Sequence, residues 1–422
     1  MDRRNFIQNL VFSSIAAGIT RKYLEDIYES NLLLEERLSV AKSEDDFWQL
    51  IRNEFTVSPN IINLNNGGVS PQPKSVQDAH IRFYQYSNEA PSYYMWHVLD
   101  KGREALRRNL SDLAGCNPEE IAINRNATEG LNSIIFGLDL SPGDEVILSR
   151  YDYPNMKNAW LQREKRDGIK LVWVDLPVPC DQEKVLIEAF TKPINSKTKV
   201  IHLTHVINWS GQVTPVKAIG EITTSKSIYL LIDGAHSFGQ IDFKIPDLNG
   251  AFFATSLHKW LSAPFGSGLM YIKQNKIKNV WALLSSDEPD GKDIRKFESL
   301  GTRSFASEMA IGTALDFHNL IGTKRKQERL TSLKNYWIDQ VKTIPGVQVY
   351  SPDNPSLSCS IGVFGIAGKT ASDISSKLFE EYKIHTVPIE FEAINGVRVT
   401  PNVYTLERDL DVLVKAIKKI AT

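Results

Sequence analysis

The chain has 422 residues, long enough for two domains. Its 42% hydrophobic and 23% charged content are those of an ordinary globular protein. A formal net charge of −1 excludes the broad cationic field that a nucleic-acid partner requires. Three widely spaced cysteines, Cys116, Cys180 and Cys359, offer neither a disulfide framework nor a metal-ligand pair.

In chain order, Arg3-Arg4 precede an apolar run from Leu10 to Ile19 that is too short to span a bilayer. Residues 1–20 thus read as a twin-arginine export signal and a periplasmic destination. The plainer alternative is an amphipathic N-terminal helix on a cytoplasmic protein. Residues 21–60 form an N-terminal helical segment, helical from Arg21 to Leu50, with Ser43 as an N-cap ahead of Phe47, Trp48, Leu50 and Ile51. A short strand, Ile61 to Leu64, runs into Asn66-Gly67-Gly68. Paired glycines permit positive φ and close backbone approach to a ligand, or simply a tight turn.

Lys101 to Ala114 has the apolar spacing of an amphipathic helix. The strand Ile121 to Ile123 then ends in Asn126-Ala127-Thr128-Glu129-Gly130, and Leu131, Ile134, Ile135 and Leu138 mark one face of a following helix. A strand, a small polar turn and a helix N-terminus make either an anion site or a plainly capped helix. Short apolar strands recur at Val146–Leu148, Leu171–Val174, Val200–Leu203, Tyr229–Ile232 and Phe252–Ala254, with helical stretches between them. That alternation belongs to a parallel sheet covered on both faces. Leu269 to Ile272 adds an antiparallel strand, and Gly301-Thr302-Arg303-Ser304 precedes a helix near Ala306. Lys324-Arg325-Lys326 reads as a solvated helix face. From about Arg329 the pattern becomes helix, strand, helix, strand, helix, which is a compact α+β tail. Residues 61–325 therefore form a large domain and 326–422 a small one.

Opposite chemistries stand at the ends of adjacent strands. Tyr229-Leu230-Leu231-Ile232 ends on Asp233-Gly234-Ala235-His236, and the next strand reaches Ser256-Leu257-His258-Lys259-Trp260. Ligands of open α/β sheets bind at strand carboxyl ends. An amine able to bond a carbonyl, with a carboxylate to keep a pyridine nitrogen protonated, is what pyridoxal phosphate asks of a protein.

These two runs resemble the class V pyridoxal-phosphate aminotransferases, where Asp-x-x-His or Asp-x-x-Gln ends one strand and Ser-x-His-Lys follows another. The likeness extends from about Asn63 to Ile420 and is greatest to the isopenicillin N epimerase and cysteine-lyase branch. It implies fold type I: a mostly parallel seven-stranded sheet wrapped by helices, with a smaller α+β C-terminal domain. It further implies a homodimer acting on an amino acid. Lys259 would hold the cofactor and move the α-proton, and Asp233 would pair with the ring nitrogen. Ala127, Thr128, Ser256 and His258 would lie around the cofactor, with its phosphate at the first two. Tyr153 would stack on the ring, while Asn208 and His236 would stand near its phenolic oxygen. Thr302 would reach the phosphate of the other subunit. Arg398, in Val397-Arg398-Val399-Thr400, would bind the substrate carboxylate, with Asn66, Gly67 and Gly68 nearby. The desulfurases of the family carry a mobile-loop cysteine shortly before the arginine strand, and residues 383–392 contain none. Epimerisation is therefore the leading expectation, with transamination or carbon–sulfur lysis as alternatives. An acid on the opposite ring face, required for epimerisation, would come from Tyr93, Tyr94 or His97.

Overall fold

The computed structural model describes residues 32–422. Residues 1–31, with the twin-arginine run and the start of the expected N-terminal helix, lie outside the described residues. A helix over 32–39 ends before a second one at Glu44–Asn53, so the continuous helix expected to Leu50 is broken. The break falls at Ser43, whose hydroxyl accepts from Asp46 N at 3.1 Å and caps the second helix.

Seven strands form the main sheet: β2 (Ile121–Asn124), β3 (Glu145–Ser149), β4 (Lys170–Val174), β5 (Thr198–Thr204), β6 (Tyr229–Asp233), β7 (Phe252–Ser256) and β8 (Gly268–Ile272). Their order is β2-β8-β7-β6-β5-β3-β4, with β8 alone antiparallel to its neighbours. The strands read as unbroken apolar runs because both sheet faces are covered. Successive side chains go to opposite faces. Ile147, Ile201, Leu203, Leu230, Ile232 and Phe253 join one core, whereas Val146, Leu148, Val200, Leu231, Phe252 and Ala254 join another. Each such side chain contributes about 1.5–3 kcal/mol by leaving water.

The C-terminal layer is a four-stranded antiparallel sheet ordered β12-β13-β10-β9, made of β9 (Val347–Val349), β10 (Gly362–Ile366), β12 (Val387–Phe391) and β13 (Ile394–Val399). Its core gathers Trp337, Phe364, Val397, Val399, Leu413 and Ile417. The short strand β1 (Ile62–Asn63) pairs in parallel with β11 (Ile384–His385), and Asn65 bridges Thr400. The start of the expected large domain is thus hydrogen-bonded to the C-terminal layer. The strand expected from Ser358 begins only at Gly362, because Ser360 N and Oγ bond Gln240 Oε1 at 2.9 and 2.6 Å instead of entering a ladder. Strands β9 and β12 escape a periodicity reading, the first being three residues long and the second interrupted by Pro388.

The solvated-face reading of Lys324-Arg325-Lys326 requires correction. They stand on the helix Thr323–Val341, where Lys326 turns inward above buried Leu330. Its Nζ donates to Trp260 O and lies 3.4 Å from His318 Nδ1. Arg325 covers the Phe47 ring, 3.4 Å from its centroid. Among the described residues, no helix is long and apolar enough to cross a membrane.

An ion-pair cluster holds the segment leading to Thr302. Glu298 is buried and accepts from Arg107 Nη1 and Nη2 at 2.8 and 2.9 Å and from Ile123 N at 2.6 Å, with Arg103 Nη2 at 3.1 Å. Removing one member of such a cluster leaves the other charges buried and unbalanced. Glu298→Ala should lower unfolding stability by about 3–5 kcal/mol, measured as a shift in the denaturant midpoint.

Candidate active site

The parallel strands deliver their last residues to one edge of the sheet. Thr204 lies level with Asp233 in the β5–β6 register and Asp233 with Ala254 in the β6–β7 register. There a cavity of about 390 Å³ opens, large enough for a cofactor-sized ligand. It is lined from the sheet by Ala127, Thr128, Tyr153, Thr204, Asn208, Asp233, His236, Ser256, His258 and Lys259. Gly67 and Gly68 reach it from the N-terminal side, and Val387, Ile389 and Arg398 from the C-terminal sheet.

The helix Ala127–Gly137 begins on the cavity wall. Asn126 caps it by accepting from Glu129 N at 2.8 Å. Ala127 N donates to Ser256 Oγ at 3.0 Å, which ties the helix start to β7 and leaves the serine hydroxyl hydrogen for another acceptor. Thr128 N is then an unpaired first-turn amide at the positive end of the helix, on the cavity wall. His258 is oriented by Ser267: a carbonyl only accepts, so Nδ1 carries the proton in the 3.1 Å contact to Ser267 O.

Charge decides the rest. Asp233 is buried, and among the described residues its carboxylate takes a single hydrogen bond, from Ala235 N to Oδ1 at 2.9 Å. Burial raises its pKa, an effect that nearby His202 and Lys259 oppose. Arg398 is likewise buried, and its Nη atoms meet only neutral oxygens, Asn208 O at 3.1 Å and Asn65 Oδ1 at 3.3 Å, while Nε has no partner. Burial pulls its pKa down to about 10. Lys259 falls from its ordinary value to about 8, chiefly by burial; Asp233 pulls it back up and Arg398 pushes it further down. Its Nζ lies 3.0 Å from His236 Nε2. Three groups therefore share one cavity with no ion-paired hydrogen bond among the described residues: a carboxylate, a guanidinium, and an amine whose ammonium form burial disfavours.

Residues 62–387 match the family model described as aminotransferase class-V. The chain belongs to the class-V aminotransferase family. The isopenicillin N epimerase of Streptomyces clavuligerus is 25% identical over 388 residues, spanning 88% of this chain and 97% of that protein. The cysteine desulfurase of Haloferax volcanii is 25% identical over 339 residues, 76% of this chain and 78% of that one. Among solved structures, the cysteine desulfurase CsdA of Escherichia coli superposes with a TM-score of 0.77 at 21% identity, covering 87% of this chain and 97% of its own. The cystine C–S lyase C-DES, in complex with cysteine persulfide, gives 0.76 at 20% identity, covering 85% and 98%. These structures share the fold-type-I architecture of a class-V enzyme.

As a member of this family the chain is a pyridoxal-phosphate-dependent enzyme, and its cavity fits the cofactor. Asp233 would supply the anion for a protonated ring nitrogen, Lys259 the amine for the aldehyde carbon, and Thr128 and Ser256 the donors for a phosphate. When bound, the cofactor acts as a sink for the electron pair released at a substrate carbon. Lys259, its pKa lowered to about 8, reaches the neutral form far more readily than an ordinary lysine and in that form would take up a proton.

Two residues singled out in the sequence stand elsewhere. Asn66 is fully buried behind Gly67: Nδ2 donates to Thr400 O at 2.8 Å, and Oδ1 accepts from Tyr404 O–H at 2.7 Å and Asn63 Nδ2 at 3.1 Å. It fixes the loop and does not line the cavity. Thr302 is exposed on its loop and does not line the cavity of its own chain. Neither Gly67 nor Gly68 takes positive φ; what needs glycine is close approach, since a Cβ at Gly67 would stand 3.1 Å from Thr400 Cγ2. Tyr93, Tyr94 and His97 are also absent from the cavity wall: Tyr94 opens a π-helical turn, Tyr94–Leu99, and packs on Tyr86.

Thr204, Trp209, Val387 and Ile389 are lining residues that sequence reasoning passed over. Behind Thr204, buried Asp152 accepts from its Oγ1 at 2.6 Å and from Ser149 N at 2.7 Å, and burial lifts its carboxyl to about 7. A turn-forming Asp three residues after the last residue of a strand was the available signal for it.

Lys259→Ala should abolish the visible absorbance of the protein-bound cofactor. In the wild type freed of cofactor, acylation of the Lys259 peptide should rise through about pH 8, because only the neutral amine reacts. Mass spectrometry of that peptide across pH checks the midpoint; one near the ordinary lysine value would refute the assignment.

Proposed function

We propose that the enzyme acts at the α-carbon of an α-amino acid or its derivative, in the manner of an isopenicillin N epimerase. The observation that carries the substrate class is Arg398, a buried guanidinium without a counter-anion on the wall that also holds Lys259 and Asp233. A planar donor fork left unpaired is matched by a carboxylate. Fixing that carboxylate fixes the substrate relative to Lys259, so a single α-bond is presented to the amine.

Two observations favour retention of the substrate side chain over sulfur transfer. The segment 383–392 is taken up by β11 and β12, presenting Val387 and Ile389 to the cavity in place of a thiol. Cys359 is buried with Sγ bonded to Gly211 O at 3.3 Å, and burial pushes its thiol up to about 11. Apart from Lys259, the cavity wall carries His236, His258 and Tyr153 as side chains able to exchange a proton.

A homodimer is part of the same reading. Thr302 sits exposed on a loop held by the Glu298 cluster, and Ile81, Tyr84, Tyr93 and Trp96 expose large apolar side chains in and just after the helix Lys74–Glu89. Light scattering should give twice the chain mass, and Thr302→Ala should weaken cofactor retention.

A panel of L- and D-amino acids, followed by cofactor spectrum and by deuterium uptake at the α-carbon in heavy water, tests the reaction. Inverted, deuterated amino acid supports epimerisation. A keto acid with the aminated cofactor identifies a transaminase, and pyruvate with a sulfur fragment a lyase. Arg398→Ala should weaken amino-acid binding by about 2–5 kcal/mol while leaving the cofactor absorbance in place.

A further inference from the structure

Trp260 directly follows Lys259 in the chain. Trp260 is completely buried, and its indole Nε1 lies 3.4 Å from His236 Nδ1. An indole N–H can only donate, so Nδ1 must offer a lone pair. Burial above all, with the charge of Arg398, holds the His236 pKa well below its ordinary value. A neutral imidazole carries one ring hydrogen, which then belongs on Nε2, the atom 3.0 Å from Lys259 Nζ. Nε2 is thus a donor, and its acceptor is the amine lone pair. An ammonium group has no lone pair and cannot take that place.

We propose that Trp260 is a positioning residue: its indole N–H selects the Nε2-protonated tautomer of His236, which in turn favours the neutral amine of Lys259 over its ammonium form. The inference rests on Lys259 being the reactive amine, as in the reading above. The backbones of both Trp260 and His236 are held from behind. Lys326 Nζ donates to Trp260 O from the helix Thr323–Val341, and Gln240 Nε2 donates to His236 O while its Oε1 accepts from Ser360. The other ionisable groups acting on this pair are Asp233, Arg398 and His258. Asp233 favours the ammonium form, and Arg398 opposes it. Burial above all, and then the charged form of Lys259, lower the pKa of His258. Without the indole donor, His236 is free to carry its hydrogen on Nδ1 and to accept from an ammonium at Nε2.

The test uses the full chain with ¹⁵N-labelled histidine, with and without pyridoxal phosphate, and the variants Trp260→Phe and His236→Gln. The wild-type spectrum without cofactor should show a protonated Nε2 and a bare Nδ1 for the resonance that His236→Gln removes. In folded Trp260→Phe that pattern should mix or reverse. The midpoint for acylation of the Lys259 peptide should then rise by about one pH unit, a tenfold loss of neutral amine below it. A bare Nε2 in the wild type overturns the proposal, as does an unmoved midpoint in folded Trp260→Phe. If that variant does not fold, the wild-type tautomer still decides. Cofactor absorbance surviving in Lys259→Ala would overturn the cofactor reading instead, and leaves the tautomer measurement standing.

Discussion

The site depends on charges that the protein does not balance by itself. Asp233 and Arg398 are buried in one cavity, each hydrogen-bonded only to neutral groups, with Lys259 between their influences. An isolated buried charge is costly, so such an arrangement persists only where a ligand supplies the missing partners. A protonated pyridine ring and a carboxylate supply both. The same imbalance sets the state of the amine: burial and Arg398 disfavour the ammonium, and Asp233 recovers only part of that loss. Ligand recognition and proton chemistry thus follow from one electrostatic condition.

Keeping those groups in place is the work of contacts between parts of the chain remote in sequence. Arg398 stands on β13 of the C-terminal sheet yet is held by Asn208 O from the large sheet and Asn65 Oδ1 from the N-terminal side. Gln240 links the backbone of His236 to Ser360 ahead of β10. The β12–β13 hairpin is closed onto the large domain by Phe391, which stacks on Trp209 with centroids 4.6 Å apart and an interplanar angle of 18°. Lys157 Nζ lies 4.6 Å from the centroid of the same ring. These contacts make the apolar wall of Val387 and Ile389 part of the cavity.

Much of this was readable from residue order. The apolar runs marked the main strands because strands covered on both faces leave little else for selection at their positions to favour. Ser43 was identifiable as a cap because its chemistry is local, as was the helix beginning after Asn126. Asp233, Lys259 and Arg398 could be singled out because each ends or occupies a strand in a recurring pattern. Asn66 and Lys326 misled for a shared reason: a polar residue beside a turn or within a basic run gives no sign of which way its side chain turns. Tertiary packing buries both, one against Thr400 and Tyr404 and the other against Trp260.

The sequence by itself determined the sheet, its two-sided core and the identity of the amine and acid at its edge, since these follow from local periodicity and strand-end position. Tertiary structure alone decided that Arg398 lacks a counter-ion, that Trp260 faces His236, and that Thr302 turns away from the cavity of its own chain. Charge balance and hydrogen-bond direction are properties of groups brought together across hundreds of residues, and no spacing along the chain encodes them.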